Sequence, residues 1–387
     1  MSKPRILVLD AQNINSLAFT RELGSKGYFV GTAGTSFLSL SFFSNYSMKK
    51  HILPSYKKSE QYVSSICDLA NKYNYDIIVP LSLESYVMFS ENRHLINESI
   101  KIILPPVDGM STASNKYKTF AYAKTKGVGI PKTFVVDKMT LKNLGPFLKE
   151  VGFPVVIKGS LSGVDNLRYC NTVSDLVSAI ENLLRKESKI VCQEYVVGET
   201  HGFYAYYHEG QLHSFFMHQR IKQYPLTGGP SSVARSYYDN ILVDQSKKIL
   251  DGLNWNGPAM VEYKFDSQNE EYKLIEINPK FWGSLDLTIE AGVNIPLAMI
   301  KHAMNQKFDN PEKYKDIYFR WLFPNEFLHY FSSNFRRYDF VKEIPIKTNI
   351  YTADILPTIF QIVLSSIKLI TLLIRGTLRY PSGKPLL

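Results

Sequence analysis

Val261-Glu262-Tyr263-Lys264-Phe265 and Leu274-Ile275-Glu276-Ile277-Asn278-Pro279-Lys280-Phe281-Trp282-Gly283-Ser284 flank a short polar stretch, Ser267 to Glu271. Both flanks alternate apolar and polar residues, the period-two pattern of strands, and the stretch between them is turn material. The pattern predicts a hairpin centred on Asn269, with Glu262 directly across from Glu276. Side chains alternate faces along a strand, so Asn278 shares the face of Glu276. Two carboxylates and an amide oxygen then converge on one patch. Like charges directly opposite destabilise a strand pair, so the pairing makes sense chiefly around a cation. Few, hard oxygen ligands open to substrate phosphates suit Mg²⁺. Glu262 taken alone would be a solvated strand carboxylate; its company decides otherwise.

The 387 residues suffice for two or three domains. A 45% hydrophobic and 21% charged composition describes a globular protein and excludes a disordered one. Cys67, Cys170 and Cys192 are widely spaced and form no CxxC. That is neither a disulfide framework nor a zinc site, and it fits a reducing, cytoplasmic setting. The start, Met1 to Arg5 followed by a short strand, carries too little apolar sequence for a signal peptide. A net charge of +10 attracts nucleic acid, anionic lipid or phosphate substrates. No basic run is interleaved with aromatics, so no nucleic-acid partner is expected.

Ile6-Leu7-Val8-Leu9 reads as a buried strand, followed by a helix through Ser16–Ser25 and a strand at Tyr28–Val30. A helix at Gln61–Tyr73 and strands at Ile77–Val79 and Lys101–Leu104 complete a parallel βαβ domain over 1–105. Asp10-Ala11-Gln12-Asn13 stands where a GxGxxG would mark a dinucleotide site, so none is expected there. Residues 106–188 hold a helix at Lys116–Lys126, strands at Thr133–Val136 and Pro154–Lys158, and a helix at Val173–Leu184. The segment 189–308 is strand-rich and ends with the hairpin. Residues 309–387 form a basic, aromatic extension with an apolar helix at 355–375.

Lys158 ends a strand beside Gly159-Ser160-Leu161-Ser162-Gly163. A mobile ammonium next to exposed backbone N–H groups grips phosphate. Gln193-Glu194-Tyr195-Val196-Val197-Gly198-Glu199 follows, then Gly228-Gly229-Pro230-Ser231-Ser232-Val233-Ala234-Arg235, then the hairpin. This succession resembles the ATP-grasp superfamily, its carboxylate–amine ligase branch, over roughly residues 4–305; the stretch Glu276 to Ser284 is the most specific part. The resemblance implies an α/β fold: a parallel N-terminal domain and two α+β subdomains that clasp ATP. Lys116, Lys158, Gly159 and Ser160 would then hold phosphates. Glu194, Tyr195 and Val197 would belong to a hinge whose backbone reads adenine, and Glu199 would bond the ribose. Glu262, Glu276 and Asn278 would hold one or two Mg²⁺ ions, with Mn²⁺ as a substitute. Arg235 would steady the transferring phosphoryl group. Lys280 sits where the family more often has arginine, which keeps the charge but loses the bidentate fork. Arg220 is then a second candidate, as a helper or a substrate-carboxylate clamp.

Several of these residues have plainer readings. Glu199 is equally a turn carboxylate, Arg220 a solvated arginine on a strand end, and Lys264 a partner in a surface ion pair. His201, His213 and His218 read as structural or solvated. Glu84 reads as a loop residue after the Ile77–Pro80 strand, where parallel sheets bind ligands.

Ile355 to Ile374 is strongly apolar, yet Thr358, Gln361, Ser365, Lys368 and Arg375 recur at three- or four-residue steps. That is a narrow polar stripe on an apolar helix. Its length could span a bilayer, but Lys368 and the stripe argue for lying on one. Arg336, Arg337, Lys342, Lys347, Arg375, Arg379 and Lys384 surround it, as expected near anionic lipid at the inner membrane face. A helix packed on the catalytic body, or in a homodimer seam, is the alternative. The expected function is an ATP-dependent ligase joining a small-molecule carboxylate to an amine, on an amino acid or an envelope precursor. A nucleotide-binding module without turnover, or a kinase or carboxylase, stands as the alternative.

Overall fold

The computed structural model describes residues 3–54, 58–160, 167–226, 228–333 and 345–379. The apolar run after Arg5 forms β1 (Arg5–Val8), followed by α1 (Ile14–Ser25), β2 (Phe29–Gly34), β3 (Lys49–Ile52), α2 (Ser59–Lys72), β4 (Ile77–Val79) and α3 (Leu83–Glu91). The strands pair in parallel in the order β3-β2-β1-β4. Fully apolar strands such as β1 and β4 suit a parallel sheet covered on both faces. The strand expected at Lys101–Leu104 reduces to a single parallel bridge between Lys101 and Ile77. Glu84, read as a loop residue, sits in the first turn of α3, where the Ser82 side chain accepts the Ser85 N–H.

The linker helices α4 (Val107–Ala113) and α5 (Lys116–Thr125) lead into an antiparallel four-stranded sheet. It comprises β5 (Thr133–Val136), β6 (Val155–Gly159), β7 (Leu167–Cys170) and β8 (Ile190–Glu194), in the order β5-β8-β6-β7. The helices α6 (Leu144–Val151) and α7 (Val173–Leu184) cover one face with a shared apolar core. A seven-stranded sheet follows, in the order β13-β12-β9-β10-β11-β14-β15. Its strands are β9 (Gly198–His208), β10 (Gln211–Gln223), β11 (Ser231–Ser236), β12 (Gly257–Asp266), β13 (Glu271–Asn278), β14 (Tyr318–Arg320) and β15 (Ile346–Thr348).

The large sheet has two apolar sides. Behind it, α8 (Asn240–Gly252) packs on Phe203, Tyr207, Val261 and Tyr263. In front, α9 (Leu285–Glu290), α10 (Ile295–Ala303) and the N-terminal domain pack on Tyr204, Tyr206 and Phe216. Phe19 of α1 meets Phe281 edge-on at 5.3 Å, joining the parallel domain to the segment after the hairpin. Past residue 308 the chain adds β14 and β15 to this sheet, so the extension is partly built into it. Adding strands to β11 also moves the sheet edge out to the three-residue β15, a short edge of the kind that resists further pairing.

After α11 (Phe327–Ser332) and β15, the chain ends its described course in α12 (Leu356–Ile374). Asp354, buried just before α12, fastens it to the N-terminal domain. Its carboxylate takes the Arg21 Nε at 2.7 Å, the Ser44 hydroxyl at 2.8 Å and the Asn45 N–H at 2.7 Å. The Arg21 Nη2 also donates to the Asp354 carbonyl at 2.9 Å. Asp354→Ala would strand a buried guanidinium, and breaking such a pair costs about 3–5 kcal/mol. Urea unfolding would read this directly; a loss below about 1 kcal/mol would contradict the anchoring role. Along α12, the polar stripe faces inward: Thr358, Gln361 and Ser365 are buried, while Ile359, Ile362, Ile367 and Ile370 are exposed.

Candidate active site

The hairpin forms as the alternation predicted, with one feature the pattern did not show. Glu262 pairs with Glu276 and Met260 with Asn278, but Tyr263 pairs with Leu274. Ile275 is therefore an extra, bulged residue. If the regular register from Tyr263–Leu274 simply continued, Glu262 would face Ile275, and Glu276 would turn with Val261 to the apolar back of the sheet. The bulge puts Glu262, Glu276 and Asn278 on the front. Gly202 lies beside Glu262 on β9. A Cβ there would come within 2.3 Å of the Tyr204 hydroxyl, so the close approach over this strand requires glycine.

The cationic side chains reach the carboxylates from three directions. Arg220 on β10 donates from Nη2 to Glu262 at 2.9 Å and from Nε to Ser231 at 3.2 Å. Burial opposes its charge, but Glu262 more than restores it. Lys116, the first residue of α5, places Nζ 4.0 Å from the Glu276 carboxylate, and its N–H donates to the Ser160 carbonyl at 2.8 Å. Lys158 ends β6 and is buried; burial, then Lys116, lowers its ammonium to about 8 against the pull of Glu276 and Glu262. Lys280 lines the same cleft after β13.

The two carboxylates respond differently. Burial pushes Glu262 upward, and Arg220 only partly offsets it. Burial also acts on Glu276, but Lys116, the Asn278 amide at 2.6 Å and Lys158 outweigh it and hold Glu276 below its usual range. Glu276 is the firmly ionised member. Among the described residues, no group of three or more His, Cys, Asp and Glu side chains is arranged to hold a metal ion by itself. Two carboxylates and one amide oxygen leave several coordination positions open, which fits Mg²⁺ shared with phosphate oxygens better than a closed protein cage.

Between this face and the small sheet lies a cleft of about 960 Å³. Val156, Tyr169, Tyr195 and Ile275 make it apolar at one end, where Lys264 donates to the Val196 carbonyl at 2.9 Å. Lys264 is half-buried against the hinge, not in the surface ion pair its sequence suggests. Tyr169 and Ile275 were not singled out in the sequence, where each is one apolar residue in an ordinary strand. The Glu194 carboxylate accepts the Lys273 ammonium at 2.8 Å and the Lys132 N–H at 3.0 Å, which fixes the hinge. Gly159 lines the cleft, whereas the Ser160 N–H and hydroxyl both donate to Glu187. The glycine loop from Leu161 to Gly163 lies outside the described residues.

Three sequence assignments fall elsewhere. Arg235 pairs with Gln219 and Ala234 with Arg220, so Ala234 takes the front of β11 and Arg235 the back. There Arg235 donates to Gln219 at 2.8 Å, and Gln219 donates to Glu199. Glu199 shares that back face with His201 and Phe203, away from the cleft, because even-numbered β9 residues such as Thr200 point into it. The Val197 side chain is 58% exposed and lies outside the lining. Of the histidines, His218 is buried with its Nε2 2.8 Å from the Ser284 hydroxyl, and burial keeps it neutral.

A family model described as "ATP-grasp in the biosynthetic pathway with Ter operon" matches residues 210–323. An uncharacterised protein of Methanocaldococcus jannaschii is 26% identical over 239 residues, or 60% of this chain. The match spans 56% of that relative's length. The fold is similar to the biotin carboxylase domain of Hydrogenobacter thermophilus 2-oxoglutarate carboxylase, solved with MgADP, ADP and bicarbonate. That match has a TM-score of 0.64 at 15% identity, over 82% of this chain and 74% of that one. It is also similar to the L-amino acid ligase of Bacillus licheniformis, with a TM-score of 0.60 at 15% identity, over 78% and 75%. The parallel domain, and the two sheets that close on a cleft, thus have the fold of these neighbours, and the ATP-grasp family model matches the part from β10 to β14.

Proposed function

We propose that the protein is an ATP-dependent ligase joining a carboxylate to an amine through an acyl phosphate, with release of ADP and phosphate. The observation that carries this reading is the Glu262–Glu276 pair with Asn278, surrounded by Arg220, Lys116 and Lys158 on the floor of the cleft. Bound Mg²⁺, held by Glu262, Glu276 and Asn278, would neutralise charge on the β- and γ-phosphate oxygens. Lys116 and Lys158 then hold phosphates, and Tyr195 and Val196 face the base. Arg220 and Lys280 stabilise the transferring phosphoryl group. A substrate carboxylate oxygen attacks the γ-phosphorus and its bond to ADP breaks. The amine nitrogen next attacks the acyl carbon, phosphate leaves, and the nitrogen loses a proton. Glu84, on the opposite wall of the cleft, is placed to hold an ammonium.

The H. thermophilus neighbour was solved with bicarbonate, so a carboxylase is the second reading. An ADP-release screen over paired amino acids, amino sugars and uronic acids, with bicarbonate as a separate arm, distinguishes them. Stimulation only by a carboxylate with an amine supports the ligase. Stimulation by bicarbonate favours the carboxylase, and ATP binding without stimulation by any pair sinks both.

Lys158 gives this reading a pH signature. Its ammonium is lowered from 10.5 to about 8, so the grip on phosphate weakens as pH rises through about 8. The folded state binds fewer protons than the unfolded one between those values, so fold stability rises with pH across the same window. ATP affinity and the melting temperature of the free protein should therefore move in opposite directions between pH 7 and 10. In Lys158→Met both trends should flatten; an unchanged ATP profile would exclude Lys158 from the phosphate grip.

A further inference from the structure

The last helix is inside out for a soluble body. A helix packed on a globular core buries its apolar stripe and exposes its polar one. α12 is long and strongly apolar, yet buries Thr358, Gln361 and Ser365 and leaves Ile362, Ile367 and Ile370 exposed. Phe37 and Leu38 extend this apolar surface along the same rim: both are exposed, and the turn after them stacks Phe43 on Phe360 at 4.0 Å. An exposed apolar band of this size marks a docking surface.

We propose that α12 docks this protein flat on an anionic bilayer, and that the cleft takes an amphiphile whose acidic head reaches Lys368 while its chain stays in the lipid. The substrate half of this inference rests on the ligase reading. Asp354 at one end, and Leu369 and Leu372 packed with Tyr224 and Leu328 at the other, hold the helix along the body. It therefore lies in the interface and does not cross it. Arg375 and Arg379 follow the helix, and the net charge of +10 complements anionic head groups. A second copy meeting this face would set the same basic rim against itself.

The inward stripe is part of the cleft wall. Gln361, Ser365 and Lys368 line the same cavity as Glu276 and Lys158. The Gln361 side-chain oxygen is buried and has no hydrogen-bond partner among the described residues, which leaves it for a ligand. Lys368, exposed at the end of this stripe, lines the cavity and adds a cation on the membrane side. The bilayer and the phosphoryl-transfer site thus border one cavity from opposite ends.

Flotation of the full chain with phosphatidylcholine vesicles, with and without phosphatidylglycerol, tests the docking. The protein should float with the anionic vesicles, and Ile362→Asn with Ile367→Asn should weaken partitioning on the order of 100-fold, leaving thermal melting and binding of a fluorescent ATP analogue unchanged. Absence of flotation, or equal flotation of the variant, overturns the docking; a dimer in sizing experiments abolished by the same substitutions would assign the face to a second copy and overturn it too. For the substrate, Leu364→Cys provides a cleft-mouth thiol, since the three native cysteines are buried. N-dodecanoyl-glutamate below its micelle concentration should shield it from a polar maleimide. Free glutamate should not, and adding Lys368→Gln should abolish the shielding. Equal shielding by both compounds, or none, overturns the amphiphile. If flotation and shielding hold while no substrate pair stimulates ADP release, only the ligase reading fails.

Discussion

Glu276→Gln should lower kcat for ADP release by about 10³-fold or more while the protein stays folded. Removal of a metal-binding carboxylate forfeits several kcal/mol of transition-state charge stabilisation, and each 1.4 kcal/mol is about tenfold in rate. Gln keeps the shape of the side chain and its approach to the Asn278 amide. It removes the negative charge that Lys116, Lys158 and Lys280 surround. Excess positive charge in the cleft should leave nucleotide binding in place, so the loss falls on kcat more than on KM. Glu276 also raises the Lys158 ammonium, and its loss should shift the pH dependence of ATP binding downward. Near-normal ADP release by a well-folded variant would refute the metal assignment.

Arg220→Met should be nearly as damaging, through a different route. Arg220 and Glu262 form a buried pair at 2.9 Å, and removing one partner of such a pair costs about 3–5 kcal/mol. Burial already pushes Glu262 upward with the arginine present. Without it, Glu262 should take up a proton more readily, which softens the loss of stability but removes a proposed metal ligand. The rate should fall about 10²–10³-fold, and residual activity should climb with pH as Glu262 ionises. The folded variant holds a proton there that the unfolded chain has released, so stability should fall over the same climb. Arg220→Lys should recover the charge but not the fork, and so only part of the rate. A pH-independent residual rate would show that Glu262 does not titrate as described.

The parallel domain, the α5 and α7 helices and the hairpin were all legible, because each is coded locally by apolar periodicity and turn residues. So were Lys158, Glu262, Glu276 and Asn278, whose positions follow from a strand end and one strand pairing; Lys116 came only from the family resemblance. What escaped was the information held between strands distant in sequence. Which of Arg220 and Arg235 faces the cleft depends on how β10 registers against β11, and an irregularity near Ile221 separates Arg220 from Lys222 in that register. Glu199 looked like a ribose ligand because its neighbours in sequence are hinge residues, but its pairing with Phe265 turns it to the back. Lys264 sits on the expected face and is half-buried only because the hinge folds over it. For α12, the stripe was visible and its direction was not, since periodicity reports a difference between two faces without saying which one faces water.

The extra residue at Ile275 decides how the site would respond to a change in chain length. Side-chain exchange at this position leaves the count of residues intact, and the acidic pair should survive a swap to Val or Leu. Deleting the codon joins Leu274, which faces the back, directly to Glu276, which faces the front, so the strand becomes regular and the carboxylate and amide keep their side. Deleting Ile277 instead removes one step from a stretch that is already regular and would turn Asn278 toward the tyrosines and valines behind the sheet. Fitness landscapes built on deletions as well as replacements should therefore separate two isoleucines that composition makes look interchangeable.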